Sequence, residues 1–177
     1  AGMGSGKTAI TQYAVADLIE DRILERVLVL APLKVCPTAW ANEHKKWREL
    51  RGLRVGILAG KTPAERKHML ANAGNYHIIV ANFEIMPWLK EQNAYELFDG
   101  LIVDESTKLK SHGSQFKAIR YDLKHFAWRV VMTGTPVSEN LQQLFYQMYL
   151  TDVGATFGGN RDKFEKKYFY PEDYKGY

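Results

Sequence analysis

The residues with the clearest chemistry open the sequence, in the stretch AGMGSGKT at positions 1–8. Glycines let a backbone curl so that its N–H groups point at phosphate oxygens, a lysine adds positive charge, and a threonine hydroxyl can bind Mg²⁺. A glycine-rich turn that only caps a helix is the alternative, because helix N-termini also favour serine and glycine. Since both functional side chains are in place, we interpret the stretch as a nucleotide-binding loop. Its predicted phosphate-binding residues are Gly2, Gly4, Ser5, Gly6, Lys7 and Thr8.

A pair of adjacent carboxylates follows the apolar run of LIVDES at positions 101–106. Asp104 could hold Mg²⁺ together with Thr8, and Glu105 could orient and deprotonate an attacking water. The alternative is a turn after a strand, where aspartate and serine are common. Because the phosphate loop supplies the other half of one metal site, the sequence predicts hydrolysis of a Mg²⁺-bound nucleoside triphosphate, with Lys7, Asp104 and Glu105 as catalytic residues.

A third stretch, MTGTP at positions 132–136, places two threonines around a glycine. The hydroxyl and backbone groups of Thr133, Gly134 and Thr135 could sense a γ-phosphate or bridge to another segment. As a bare pattern, the stretch is also consistent with an ordinary connection between a strand and a helix.

The composition predicts one globular domain. The chain has 177 residues, of which 46% are hydrophobic and 25% charged, values that are ordinary for such a domain. No apolar run approaches the roughly 18 residues of a membrane helix. The single cysteine, Cys36, excludes an intramolecular disulfide and fits a reducing compartment. Its apolar neighbours favour a buried thiol over a nucleophile, and no cysteine–histidine cluster has the spacing of metal ligands.

The charge of the chain gives only weak information about a partner. A net charge of +4 does not by itself establish nucleic-acid binding. Basic residues do concentrate in two groups, which a solvated helix face would also explain. The first group is Lys45, Lys46, Arg48, Arg51 and Arg54, and the second is Arg161, Lys163, Lys166 and Lys167.

The elements that must position the three motifs alternate between strand and helix. Strands are predicted at 27–32, 56–60, 77–82, 101–105 and 129–134. Helices are predicted at 8–24, 38–47 with Thr38 as cap, 62–73 with Thr62 as cap and Pro63 at its first position, 114–126 and 140–150. This alternation predicts an α/β fold, a parallel sheet with helices on both faces. Ligands of such sheets bind at the carboxyl ends of the strands, where the second and third motifs stand.

Taken in order, these stretches resemble the first motor lobe of superfamily-two helicases and translocases, specifically the Swi/Snf-type ATPases. AGMGSGKT resembles motif I, DESTKLKS resembles the DEAH-type box, and MTGTPVSENLQQLFYQMYL resembles motif III with its helix, including Asn140, Leu141 and Leu144. VLVLAPLKVCPTAWANEHKKW resembles motif Ia, with Pro32, Trp40, Glu43 and Trp47 at the expected places, and HIIVANFEIM resembles motif Ib. Ser106 and Thr107 stand where the family usually has Ala-His, which puts a coupling role of that histidine in question here.

The resemblance implies a P-loop NTPase (RecA-like) lobe over residues 1–152, with residues 153–177 leaving it. Because a phosphate-binding loop normally follows an anchoring strand, we expect the lobe to be truncated at its front. It is expected to be truncated at its far end as well, because the family adds a second lobe with arginine fingers and half of the DNA track. The cofactors implied are ATP and Mg²⁺. By the same resemblance, Thr133, Gly134 and Thr135 couple nucleotide state to the track, and Lys34 and Asn82 contact nucleic-acid phosphates.

The function expected from these observations is that of an ATP-driven translocase or helicase lobe acting on double-stranded nucleic acid, with DNA as the expected form. A strand-separating helicase or a restriction-type motor subunit remains an alternative within the same superfamily. A nucleotide-gated clamp without turnover is the alternative outside enzymes, and Glu105 argues against it. A GTPase is disfavoured because the sequence has no N-K-x-D signature. The expected location is the cytoplasm of a bacterial or phage-infected cell, with no membrane partner.

Overall fold

The fold is built on one parallel sheet of five strands. The computed structural model describes residues 6–109, 114–135 and 143–169. Its strands are β1 (Val27–Ala31), β2 (Val55–Ile57), β3 (Ile78–Asn82), β4 (Gly100–Asp104) and β5 (Trp128–Met132). They run in the order β2-β3-β1-β4-β5, and every neighbouring pair is parallel. The predicted parallel α/β sheet is therefore confirmed, with all five predicted strands present.

The three central strands are buried along their whole length because they are covered on both faces. Alternate residues of β1 enter two different core clusters: Leu28 and Leu30 belong to one, and Val27 and Val29 to the other. In the described residues β5 has only β4 beside it, and most of its residues are half-buried. The most protected part of the sheet is therefore the part that ends in Asp104.

Helices cover both faces of the sheet. They are α1 (Lys7–Glu20), α2 (Pro63–Ala71), α3 (Met86–Glu91), α4 (Ser114–Arg120), α5 (Gln143–Asp152) and α6 (Arg161–Tyr168). Val15 of α1 packs in the cluster of Val27 and Val29, whereas α3 and α4 contribute to the other cluster. α1 therefore lies on the opposite face from α3 and α4, so helices occupy both faces as predicted.

The start of α2 follows its predicted signals. The Thr62 hydroxyl accepts a hydrogen bond from the Glu65 N–H, and the Thr62 N–H donates to the Glu65 carboxylate at 2.8 Å. This reciprocal pair is a capping box, with Pro63 at the first helical position. The prediction of Thr62 as cap and Pro63 as first residue is confirmed.

The helix predicted at 38–47 is present as an irregular run of helical turns over residues 36–46, but the prediction of Thr38 as its cap is wrong. A single wide turn, a π-helix, spans Cys36–Trp40, and a 3₁₀ turn follows at Glu43–Lys46. Thr38 lies inside the first of these turns, and its hydroxyl donates backward to the Lys34 carbonyl at 2.8 Å. Neither turn has a side-chain cap hydrogen bond. We name residues Cys36–Trp40 the wide turn, after this π-helical backbone. Trp40, its last residue, is fully buried in the core.

Other observed helix boundaries also differ from the predicted ones. α1 ends at Glu20 and not at 24, because Arg22 adopts a left-handed φ of 58° and the Ile23 N–H returns to the Leu18 carbonyl. The predicted helix at 114–126 ends at Arg120 and is followed by a 3₁₀ turn. α3 and α6 were not predicted. The predicted start of the helix at 140–150 falls on residues outside those described, and α5 is described from Gln143.

Residues 153–169 contact the rest of the lobe, although the sequence predicted that this segment leaves it. The Phe164 ring of α6 lies 5.3 Å from the Phe145 ring of α5, and Arg120 donates to the Gly159 carbonyl at 2.9 Å. The division of the chain at residue 152 stays a prediction. Among the residues that the structure describes, no helix combines the length and apolarity that crossing a bilayer requires.

Candidate functional site

One cleft gathers the side chains of the first two motifs. It has a volume of about 450 Å³ and lies at the carboxyl end of β4. Its lining includes Gly6, Lys7 and Thr8 from the start of α1, together with Asp104 and Glu105. The fold therefore brings together residues that lie far apart in the sequence. The other predicted loop residues, Gly2, Gly4 and Ser5, lie outside the described part of the chain.

The loop enters α1 through a backbone conformation that favours glycine. Gly6 has a φ of 74°, and a side chain added there would meet no atom of the described residues within 4 Å. The need for glycine thus comes from the left-handed backbone and not from lack of space. The first turn of α1 carries no acidic residue, so no carboxylate there offsets the partial positive charge of the helix N-terminus. Lys7 and Thr8 are half-buried beside this N-terminus, which suits an anion.

Asp104 is held from inside the protein. The residue is 5% exposed, and the Trp40 indole N–H donates to its Oδ2 at 2.9 Å. Carboxylate and hydroxyl oxygens are suitable ligands for Mg²⁺, which proteins usually bind through one or two carboxylates plus substrate phosphates. In the described residues no three acidic, histidine or cysteine side chains form a metal cage. Thr8 and Asp104 therefore fit a metal that takes its remaining ligands from nucleotide and water.

Glu105 occupies a strained position directly after β4. Its φ of 50° and ψ of 51° are left-handed, which is uncommon for a residue that is not glycine. Successive side chains of a strand point to opposite faces, whereas here both neighbouring carboxylates line the same cleft. Strain of this kind costs on the order of 1–3 kcal/mol and persists where the surrounding structure imposes it, often at functional sites.

The third motif lies next to the first. Thr133 and Lys7 both line a second depression, of about 480 Å³, between α1 and α5. Thr133 also accepts a hydrogen bond from the Thr135 N–H at 3.1 Å, which closes a tight turn around Gly134. The Thr11 hydroxyl contacts the Met132 sulfur at 2.9 Å, so α1 and the end of β5 touch directly. The predicted coupling residues therefore lie where a change at the loop could reach them.

The two predicted nucleic-acid contacts have different surroundings. Lys34 is exposed. Asn82 is 5% exposed, and its side-chain amide donates to the Glu84 carboxylate at 2.6 Å. Asn82 is the last residue of β3, and Lys34 comes three residues after the end of β1, the strand that pairs with β3. The Lys34 side chain is thus accessible to solvent, whereas Asn82 is buried.

Sequence reasoning missed how the wide turn and the following 3₁₀ turn, Glu43–Lys46, contribute to the cleft. Glu43 and Lys46 line the cleft and form an ion pair, with Nζ 2.7 Å from Oε2. The hydrogen bond from Lys46 is the largest cause of a lowered pKa at Glu43. The side-chain amide of Gln12, a fully buried α1 residue, donates to the Trp40 carbonyl at 3.1 Å. The resemblance to motif Ia identified Trp40 and Glu43 by position but did not predict which residues they contact.

Cys36 and His44, also near the cleft, are buried. Burial raises the pKa of the Cys36 thiol to about 12, which matches the prediction of an unreactive thiol. Burial also lowers the pKa of His44.

The five basic residues of the first charge group are all exposed, as the solvated-face interpretation expects.

Comparison with known proteins agrees with these features. A family model described as SNF2-related domain matches residues 2–174. The chain is 33% identical to putative protein p41 of Acyrthosiphon pisum secondary endosymbiont phage 1, covering 96% of this chain and 38% of that protein. It is 28% identical to the DNA excision repair protein ERCC-6-like of Bos taurus, covering 88% of this chain and 13% of that protein. The chain therefore spans well under half the length of both relatives.

Solved structures support the fold. The SWI2/SNF2 ATPase core domain of Sulfolobus solfataricus superposes with a TM-score of 0.68 at 24% identity, over 94% of this chain and 32% of that chain. The UvsW helicase of bacteriophage T4 superposes with a TM-score of 0.64 at 15% identity, over 83% of this chain and 49% of that chain. The predicted RecA-like lobe and the predicted family are both confirmed.

Proposed function

This chain belongs to the family of SNF2-related domains, and on that premise we propose that it is the ATP-binding lobe of a nucleic-acid motor. The motor hydrolyses ATP to translocate along double-stranded DNA or to unwind it. One observation carries the proposal: a single cleft holds the phosphate-loop residues Lys7 and Thr8 together with Asp104 and Glu105. A cleft with these four side chains can bind a triphosphate, hold a metal and activate water.

Each side chain has a distinct role in the proposed hydrolysis. The Lys7 ammonium neutralises oxygens of the β- and γ-phosphates, and Thr8 and Asp104 supply oxygen ligands for Mg²⁺. When bound, Mg²⁺ would offset the negative charge of the phosphates. Glu105 accepts a proton from the water whose oxygen attacks the γ-phosphorus, and the bond from that phosphorus to the ADP oxygen breaks.

Coupling to nucleic acid is proposed for the loops next to the cleft. Thr133, Gly134 and Thr135 would transmit the state of the nucleotide, because their turn adjoins α1. Lys34 would meet backbone phosphates, which position a motor without reading sequence. Asn82 could join it only by exchanging its hydrogen bond with Glu84 for one with the ligand.

The proposal also includes a second RecA-like lobe in the same protein. Residues 1–152 would form the first lobe and residues 153–177 would lead away from it. The other lobe would complete the cleft with arginine fingers and carry half of the DNA track. A cytoplasmic location goes with this proposal, since the substrate is ATP and Cys36 suits a reducing compartment.

The test is the nucleic-acid dependence of ATP hydrolysis by the full-length protein. Steady-state turnover should rise with duplex DNA, and a triplex-displacement assay should report movement. Nucleotide-dependent DNA retention without turnover would instead identify the clamp, and displacement of a base-paired strand would identify a helicase. A rate of ATP hydrolysis that does not change with any nucleic acid would contradict the proposal of a motor.

A further inference from the structure

The partner of Asp104 inside the protein is a tryptophan side chain. Trp40 is fully buried, and its indole N–H points at Asp104 Oδ2 from 2.9 Å. Asp104 Oδ2 is thus engaged from the protein side of the cleft wall. The carboxylate needs its other oxygen for a metal or a metal-bound water, if it acts as proposed.

The indole is well suited to fix a carboxylate. Its N–H is a donor only, so the direction of the hydrogen bond cannot reverse. The ring has two rotatable bonds and packs in the same core cluster as Val29, Val80 and Ile102 of the central strands. Since core side chains are close-packed, rotation of this ring would disturb the sheet.

A second hydrogen bond connects Trp40 to the phosphate-loop helix. The fully buried Gln12 donates from Nε2 to the Trp40 carbonyl at 3.1 Å. Gln12 lies four residues after Thr8 on α1, so the two residues share one face of that helix. The path Gln12–Trp40–Asp104 therefore joins the helix that carries Thr8 to the strand that carries Asp104.

The backbone of Trp40 is shaped for this contact. The wide turn Cys36–Trp40 closes with the Trp40 N–H directed at the Val35 carbonyl, 3.4 Å away. Such wide turns are rare and frequent at functional sites. Here the turn directs the Trp40 carbonyl toward α1 while its indole reaches β4.

We propose that Trp40 is a positioning residue for the metal site, which it serves by orienting the Asp104 carboxylate relative to the Thr8 end of α1. This inference rests on the proposed function, in which Thr8 and Asp104 hold Mg²⁺. Trp40 itself touches neither metal nor nucleotide. A tryptophan that only filled the core would stabilise the fold without affecting metal affinity, and that difference makes the role testable.

The experiment measures Mn²⁺ affinity by electron paramagnetic resonance in the full-length protein saturated with ADP. Trp40→Phe removes the N–H and should weaken Mn²⁺ binding about tenfold, since groups that orient metal ligands typically contribute 10–100-fold. The matched control is Trp128→Phe, because Trp128 packs against the same core cluster from the amino end of β5. That variant should bind Mn²⁺ like the parent. Equal Mn²⁺ affinities for the two variants would overturn the inference.

Two further variants separate positioning from loss of packing. Replacing Trp40 by 3-benzothienylalanine keeps the ring size and exchanges the N–H for sulfur, so it should weaken Mn²⁺ binding even if Trp40→Phe fails to fold. In an Asp104→Ala background, Trp40→Phe should cause no further loss, because its only route to the metal is gone. An additive loss, or parental affinity with the sulfur analogue, would overturn the positioning role. A parent protein that binds ADP but no Mn²⁺ would instead overturn the proposed function.

Discussion

Asp104 and Glu105 are neighbours in sequence, but the structure gives their carboxylates different surroundings. Asp104 ends a buried strand and accepts the Trp40 indole hydrogen bond. Glu105 is half-buried, sits in left-handed backbone and lines the cleft. A fixed carboxylate suits a metal ligand, and one in contact with the cleft suits a base. The sequence predicted both roles from the phosphate loop and the two adjacent carboxylates, but not the hydrogen bond from Trp40 to Asp104, because that contact depends on tertiary packing.

At the residue scale, Glu105→Gln should keep binding of Mg²⁺ and ATP and lower turnover by about 10²–10⁴-fold, the usual contribution of general base catalysis. The amide preserves the shape of the side chain and cannot accept the proton of water. Equilibrium titration with ATP and steady-state hydrolysis by the full-length protein measure the two effects. Glu96→Gln, at an exposed glutamate of the 3₁₀ turn Ala94–Leu97, is the control and should match the parent. Parental turnover in Glu105→Gln would assign this side chain a structural role.

Lys7→Ala should abolish tight ATP binding, because the triphosphate loses a charge-assisted contact at the loop. Titration of the full-length protein with a fluorescent ATP analogue measures the affinity. Lys67→Ala removes an exposed lysine from α2 and should leave affinity unchanged. If Lys7→Ala binds ATP as the parent does, the phosphate-loop assignment is incorrect.

At the element scale, the strands were predictable and several helices were not. Apolar runs such as 27–32 and 77–82 marked the buried strands to within a residue or two, because both faces of a parallel sheet demand apolar side chains. The start of the helix at 38–47 was predicted wrongly, because Thr38 has the residue type of a cap but lies inside the wide turn, where its hydroxyl donates to the Lys34 carbonyl. The short α3 was missed because its six residues carry little periodic signal. The candidate cleft was predictable because its motifs stand at strand ends and at a helix start.

The two threonines predicted as caps allow a direct test of local structure. Thr62→Ala removes the acceptor of the capping box and should lower the free energy of unfolding by about 1 kcal/mol. Thr38→Ala should change it by less than about 0.5 kcal/mol, because an exposed hydroxyl that caps nothing contributes little. Urea denaturation followed by circular dichroism compares the variants. The assignment of the caps would be reversed by a larger loss in Thr38→Ala.

At the scale of the whole molecule, a motor that tracks the backbone should bind nucleic acid in a salt-sensitive way. The logarithm of affinity should fall linearly with the logarithm of salt concentration, with a slope of about −0.9 for each phosphate neutralised on duplex DNA. Lys34→Ala should weaken binding to every sequence equally and reduce that slope by about one. Fluorescence anisotropy over a series of salt concentrations and several unrelated duplexes measures both. A strong preference for one sequence would contradict backbone tracking.

The half-site seen in the described residues makes a prediction about the chain on its own. The cleft offers Lys7, Thr8, Asp104 and Glu105 for phosphate, metal and water, but an arginine finger must reach the γ-phosphate from across the cleft. Such a finger contributes roughly 10³–10⁵ in rate in related P-loop enzymes. The 177-residue chain should therefore hydrolyse ATP feebly and gain almost nothing from duplex DNA, whereas the full-length protein with a second lobe should be stimulated. Turnover is measured for both forms with and without DNA, after circular dichroism has shown that the isolated chain is folded. Strong DNA-stimulated hydrolysis by the folded, monomeric chain would show that one lobe suffices and would overturn the two-lobe proposal.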